Sequence, residues 1–63
     1  MENELFTFVL LAHEGHVVEN LFLSRHDADK KFDALTKCGT EDNLVAVAYY
    51  CASVGGLVNA WHA

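Results

Sequence analysis

His13 and His16 stand on either side of Glu14-Gly15, and two imidazoles with a carboxylate between them are donors that zinc accepts. A structural zinc site normally takes four protein ligands, so the others would have to come from His62, His26 or a second subunit. Histidines beside a turn are more commonly polar residues at a solvated end, and no metal or other cofactor is expected. The nucleophile candidates are Cys38, Cys51, Ser24 and Ser53. A catalytic cysteine needs a base beside it and a cleft around it. Cys51 falls within an apolar run and Cys38 at the end of a helical segment, and neither carries a local signature. Gly55-Gly56 is followed by a strand-like run, whereas a phosphate loop needs a longer glycine pattern, a lysine and then a helix. These residues predict a protein that is not an enzyme.

The aromatic residues are more suggestive. Tyr49, Tyr50 and Trp61 lie in the second half of the chain, Phe6, Phe8 and Phe22 in the first. Aromatic side chains on an open sheet can stack on bases, but that mode also needs basic neighbours. Anchoring of a protein interface suits them better, because Tyr and Trp are enriched at binding hot spots. Plain core filling accounts for the remainder.

The elements that position these residues follow from periodicity. Leu5 to Ala12 is too short and too rich in aromatic and aliphatic residues for a helix and reads as a strand. Glu14-Gly15 then serves as a two-residue hairpin turn, which pairs His13 with His16, Leu11 with Val18 and Phe8 with Leu21. Alternation sorts this hairpin into two faces. One carries Phe6, Phe8, Leu10, Ala12, Val17, Leu21 and Leu23, interrupted by Glu19. The other carries Leu5, Val9, Leu11, Val18 and Phe22 beside Thr7, Asn20, His13 and His16.

Ser24 is placed to cap a helix, with Asp27 three residues on, and Ala28, Phe32 and Leu35 form one narrow apolar stripe. Lys37 suits the last turn and Gly39 the C′ position. After a polar turn at 40–43, Leu44 to Ala52 is a near-continuous apolar strand of the kind covered on both faces. A turn at 53–56 leads to a last strand, its register open between Val54-Gly55 and Gly55-Gly56. The register matters, because a one-residue slip moves Trp61 to the opposite face. The expectation is a single α+β domain, residues 1–63, with strands at about 4–12, 16–23, 44–52 and 57–62 and a helix at about 25–38. It is a two-layer ββαββ arrangement: a four-stranded antiparallel sheet with one helix packed on one face.

Composition narrows the functions. With 63 residues, 52% apolar and 21% charged, and no proline, the chain is globular rather than disordered. A domain this small buries only about 60% of its unfolded surface and often leans on oligomerisation. Net charge is −5, and the four bases, Arg25, Lys30, Lys31 and Lys37, share the helix with Asp27, Asp29 and Asp33. No positive stripe survives, so direct nucleic-acid binding is not expected. Apolar stretches fall far short of the roughly 18 residues that cross a bilayer, and the acidic N-terminus has the wrong sign for a signal peptide. A cytoplasmic protein without membrane contact is expected. There, Cys38 and Cys51 act as small buried hydrophobes, with a Cys38–Cys51 bridge or a redox role as the alternative.

The small size, the acidic balance, the hairpin opening Leu5-Phe6-Thr7-Phe8-Val9-Leu10 and the helix Ser24-Arg25-His26-Asp27-Ala28-Asp29-Lys30-Lys31-Phe32 together loosely resemble small orphan proteins encoded by bacteriophages. These include anti-CRISPR and other anti-defence inhibitors. The resemblance implies a protein that binds and blocks a host enzyme or nucleoprotein. The residues themselves point to an interaction protein whose helix-free sheet face is buried in a homodimer or against another protein. The candidate interface is Leu5, Val9, Leu11, Val18, Phe22, Tyr49, Tyr50 and Trp61. A self-associating structural or regulatory protein is the alternative, followed by a small metal-binding domain using His13 and His16.

Overall fold

Ser24 ends one apolar run and starts the helix. Its Oγ accepts the Asp27 backbone N–H at 3.1 Å, and its carbonyl accepts the Ala28 N–H at 2.9 Å. The cap satisfies an N–H that would otherwise face solvent unpaired, while Asp27 sits in the positive first turn. The structure, a computed structural model, describes residues 3–37 and 44–63. Helix α1 spans Arg25–Lys37, and the strands are β1 (Glu4–Ala12), β2 (Gly15–Leu23), β3 (Leu44–Cys51) and β4 (Gly56–His62). The expected extension of the helix to Cys38, the Gly39 cap, the turn at 40–43 and any bridge from Cys38 lie outside the described residues.

The four strands form one antiparallel sheet in the order β2-β1-β3-β4, backed by α1: an α+β, ββαββ fold. Strands β2 and β3 are each antiparallel to β1 and so run parallel to each other, one on each side of it. Parallel strands need a long crossover connection, and α1 belongs to that crossover. The crossover lays the helix over β1, and the apolar stripe of α1 decides which face it covers.

That face holds the core. Phe6, Phe8, Val47, Tyr49 and Cys51 of the two central strands are buried with Ala28 and Phe32 of the helix. Leu10, Leu21, Leu23, Leu35, Leu44, Val58 and Trp61 pack around them. The Phe8 and Tyr49 rings stack at 5.0 Å between centroids, and Phe32 closes on Tyr49 from the helix at 4.9 Å.

Two details of the first hairpin depart from expectation. The turn is His13-Glu14, not Glu14-Gly15, and the pairs are Ala12 with Gly15, Leu11 with His16, Val9 with Val18 and Phe8 with Glu19. Gly15, at φ +143°, follows the turn instead of sitting in it, so the conformation that needs glycine falls one residue later. This register slides the strands by two residues, and a two-residue slide keeps every side chain on its face. Val17 is the exception on burial. It points to the helix side but is 55% exposed, because the helix cover on β2 extends along Leu21 and Leu23 only as far as Glu19.

The second hairpin uses neither two-residue turn. A short 3₁₀ turn, Ala52–Val54, ends β3 one residue early and closes with the Gly55 N–H donating to Ala52 O at 3.0 Å, Gly55 at φ +90°. Farther along, Tyr50 pairs with Leu57 but Tyr49 with Asn59, a bulge at Val58. The bulge sets the remaining register and places Trp61 opposite Val47, on the helix side.

Candidate functional site

Strand pairing organises the helix-free face into rows that run across the sheet. From β2 to β4 these are Asn20–Thr7–Tyr50–Leu57, Val18–Val9–Ala48–Ala60 and His16–Leu11–Ala46–His62, with Phe22–Leu5 at the end nearest the helix start. No Asp, Glu, Lys or Arg stands at any of these positions. The large apolar side chains are substantially exposed, Phe22 most of all at 69%. Thr7 Oγ1 donates to Asn20 Oδ1 at 2.8 Å. The face offers water a broad apolar surface.

Relief on this face comes from side-chain size. Ala46, Ala48 and Ala60 are small neighbours on β3 and β4, and beside Val9, Leu11 and His62 they floor an apolar depression of about 320 Å³ that Val47 and Trp61 also line. Phe22 projects from the opposite corner, on β2. The same surface thus carries this recess and, at the opposite corner, its most exposed ring, Phe22.

Of the expected interface residues, Leu5, Val9, Leu11, Val18, Phe22 and Tyr50 all lie on this face. Tyr49 and Trp61 do not. Alternation sends Tyr49 inward, where it is 2% exposed, and the bulge at Val58 packs Trp61 against the core, though it still borders the depression. Leu57, the three alanines and His62 join the face instead. Ala46 and Ala48 were legible as alternate positions of one strand. Leu57, Ala60 and His62 depended on a loop and a bulge that leave no clear mark in sequence.

The helix side holds the polar chemistry. The Tyr49 hydroxyl donates a short hydrogen bond to the Asp29 carboxylate, and burial, then this bond, push its pKa up to about 12. Arg25 Nε approaches the same carboxylate at 3.7 Å. Lys31 Nζ pairs with Glu19 at 3.2 Å and stands 5.4 Å from the centre of the Phe8 ring. At the far end Ser53 Oγ donates to Glu4 Oε2 at 3.0 Å, and the Cys51 thiol lies 3.5 Å from Glu4 Oε1 and 3.1 Å from Ser53 Oγ. These contacts tie the 52–54 turn to β1. Cys51 is a buried free thiol at 2% exposure with no imidazole beside it among the described contacts.

His13 and His16 do not face each other: His13 is in the turn and His16 pairs with Leu11. The shifted register separates them, and among the described residues no three His, Cys, Asp or Glu side chains gather to hold a metal. No helix among the described residues is long and apolar enough to cross a membrane.

Fold and site together define a small two-layer domain with one covered and one bare sheet face. No protein-family model, curated protein or solved structure matches the chain.

Proposed function

We propose that the chain is a non-enzymatic protein–protein interaction module that works through its helix-free sheet face. The observation that carries this reading is the charge-free surface of Leu5, Leu11, Val18, Phe22, Tyr50 and Leu57, with the half-buried Val9 among them. Side chains this large and this exposed, gathered on one face, are uncommon on a soluble monomer. Phe22 and Tyr50 are aromatic, a residue class enriched at the cores of protein interfaces. Blocking of a host defence protein, which the resemblance to phage-encoded inhibitors implies, falls within the same reading, because a protein that occludes a surface needs no chemistry of its own.

The test is a charged substitution in the middle of the face. Val18→Asp should keep the wild-type far-UV circular dichroism while losing every association the wild type makes, with itself or with proteins of its native lysate. A variant that unfolds would make Val18 core, and one that binds as the wild type does would remove the face from function. Either result defeats the reading.

A further inference from the structure

Resting on that reading, we infer that the occupant of the bare face is a second copy of this chain, with Phe22 of each copy seated in the alanine-floored depression of the other. Three observations converge on it.

The first is charge. The chain carries −5 overall, so most surfaces of one copy repel those of another. The charged side chains among the described residues lie on α1, in the His13-Glu14 turn, or on strand positions that face the helix side. The bare face has none. Face-to-face contact is the approach that turns the acidic sides outward and keeps the carboxylates of the described residues out of the interface.

The second is area. Four strands of 9, 9, 8 and 7 residues, about 4.8 Å apart at about 3.3 Å per residue, present a footprint of roughly 520 Å². Two such faces cover about 1,050 Å² in total before surface relief is counted, just above the roughly 1,000 Å² that a specific interface should clear. A two-fold dimer is the simplest closed way to cover an apolar face.

The third is shape. Phe22 stands on β2 in the row of Leu5. The recess lies across β1, β3 and β4 in the rows of Val9 and Leu11. A two-fold axis lying in the plane of contact and passing over β1 between Thr7 and Val9 exchanges these two places. Both rings are then seated at once, as a self-complementary interface requires. A phenyl ring fits a depression of about 320 Å³. Thr7 and Asn20, near the axis, already bond each other, so closing the contact leaves the Asn20 amide N–H groups, and not the Thr7 hydroxyl hydrogen, to be paired across it.

The experiment is sedimentation equilibrium on the full chain, with circular dichroism as a control on folding. The wild type should be dimeric at micromolar concentration. Phe22→Ala removes the ring and Ala48→Trp fills the recess, and each should weaken self-association at least tenfold with the fold intact. Mixed in equal amounts, the two variants should associate again. Phe22 of the Ala48→Trp copy enters the free recess of the Phe22→Ala copy, and the filled recess meets no ring. Ala60→Phe fills the same recess from the edge strand and replaces Ala48→Trp if that variant does not fold. A monomeric wild type, variants that still dimerise, or a mixture that stays monomeric each overturns the inference. If the wild type is monomeric but Val18→Asp abolishes capture of another protein, the dimer fails and the interaction-module reading stands.

Discussion

The two faces of this sheet are built from the same strands, one residue out of step, and differ less in greasiness than in where their charges lie. On the covered face Phe6, Phe8, Val47 and Tyr49 meet Ala28 and Phe32, and the rim carries Glu4 and Glu19. On the bare face Leu5, Val9, Leu11, Val18 and Phe22 are covered by no helix, and no Asp, Glu, Lys or Arg stands among the described positions of that face. A helix is narrower than four strands, so the covered face ends in water and needs ionic groups at its margin. A face wholly taken up by a partner needs none. The absence of charge, more than the presence of Leu and Phe, marks the bare face as one that is not meant to stay wet.

The largest test of this contrast is a matched pair of phenylalanine truncations. Phe8→Ala opens a cavity beneath Tyr49 and should cost about 3–5 kcal/mol. A 63-residue chain has a stability of about 3–9 kcal/mol in all, so the variant should be largely unfolded by urea titration or unable to fold. Phe22→Ala, measured in dilute solution where the chain is monomeric, should cost about 0.5 kcal/mol or less, as exposed substitutions do. Equal losses at the two positions would break the distinction between the faces.

Next in size is Tyr49→Phe, which leaves the ring stack and removes only the hydrogen bond to Asp29. Asp29 is half exposed and regains water, so the expected loss is about 1 kcal/mol. The tyrosine also gives a pH signature. Its folded pKa, about 12, lies above the ordinary value of 10.0, so folding favours the neutral phenol. That contribution is full below pH 10 and is lost as the pH rises toward 12, because the unfolded chain then releases the proton first. The stability gap between wild type and Tyr49→Phe, followed by thermal unfolding, should therefore narrow over that window.

The sequence carried the contrast between faces because parity is robust. A wrong turn at Glu14-Gly15 shifted the hairpin by two residues, yet Phe8 and Val9 kept their sides. The helix was legible from Ser24 and the stripe Ala28, Phe32 and Leu35, since capping and periodicity are local. The strand order was not, because nothing local says that β3 pairs with β1 instead of β2. Trp61 was undecided for a related reason: its side depends on one inserted residue, Val58, whose neighbours give no signal for a bulge. The recess was hidden because its floor joins Ala48 to Ala60 across that same unreadable register.

The smallest effect sits at neighbours in sequence that point opposite ways. Glu19 interrupts the covered face, and its partner Lys31 reaches across at 3.2 Å while lying near the Phe8 ring. Both side chains are about a third exposed, so solvent screens the pair, and Glu19→Gln should cost only about 0.2–1 kcal/mol. The cost should shrink further in high salt, read as a shift of the urea midpoint. Val18→Asp, one residue away, adds a charge instead of removing one and should leave the dilute-solution midpoint nearly where it was. Its effect belongs to association, where a carboxylate buried against a second apolar face has no partner. If Val18→Asp moves the monomer's midpoint more than Glu19→Gln does, the bare face contributes to the fold itself, and the unequal charging of the two faces needs another cause.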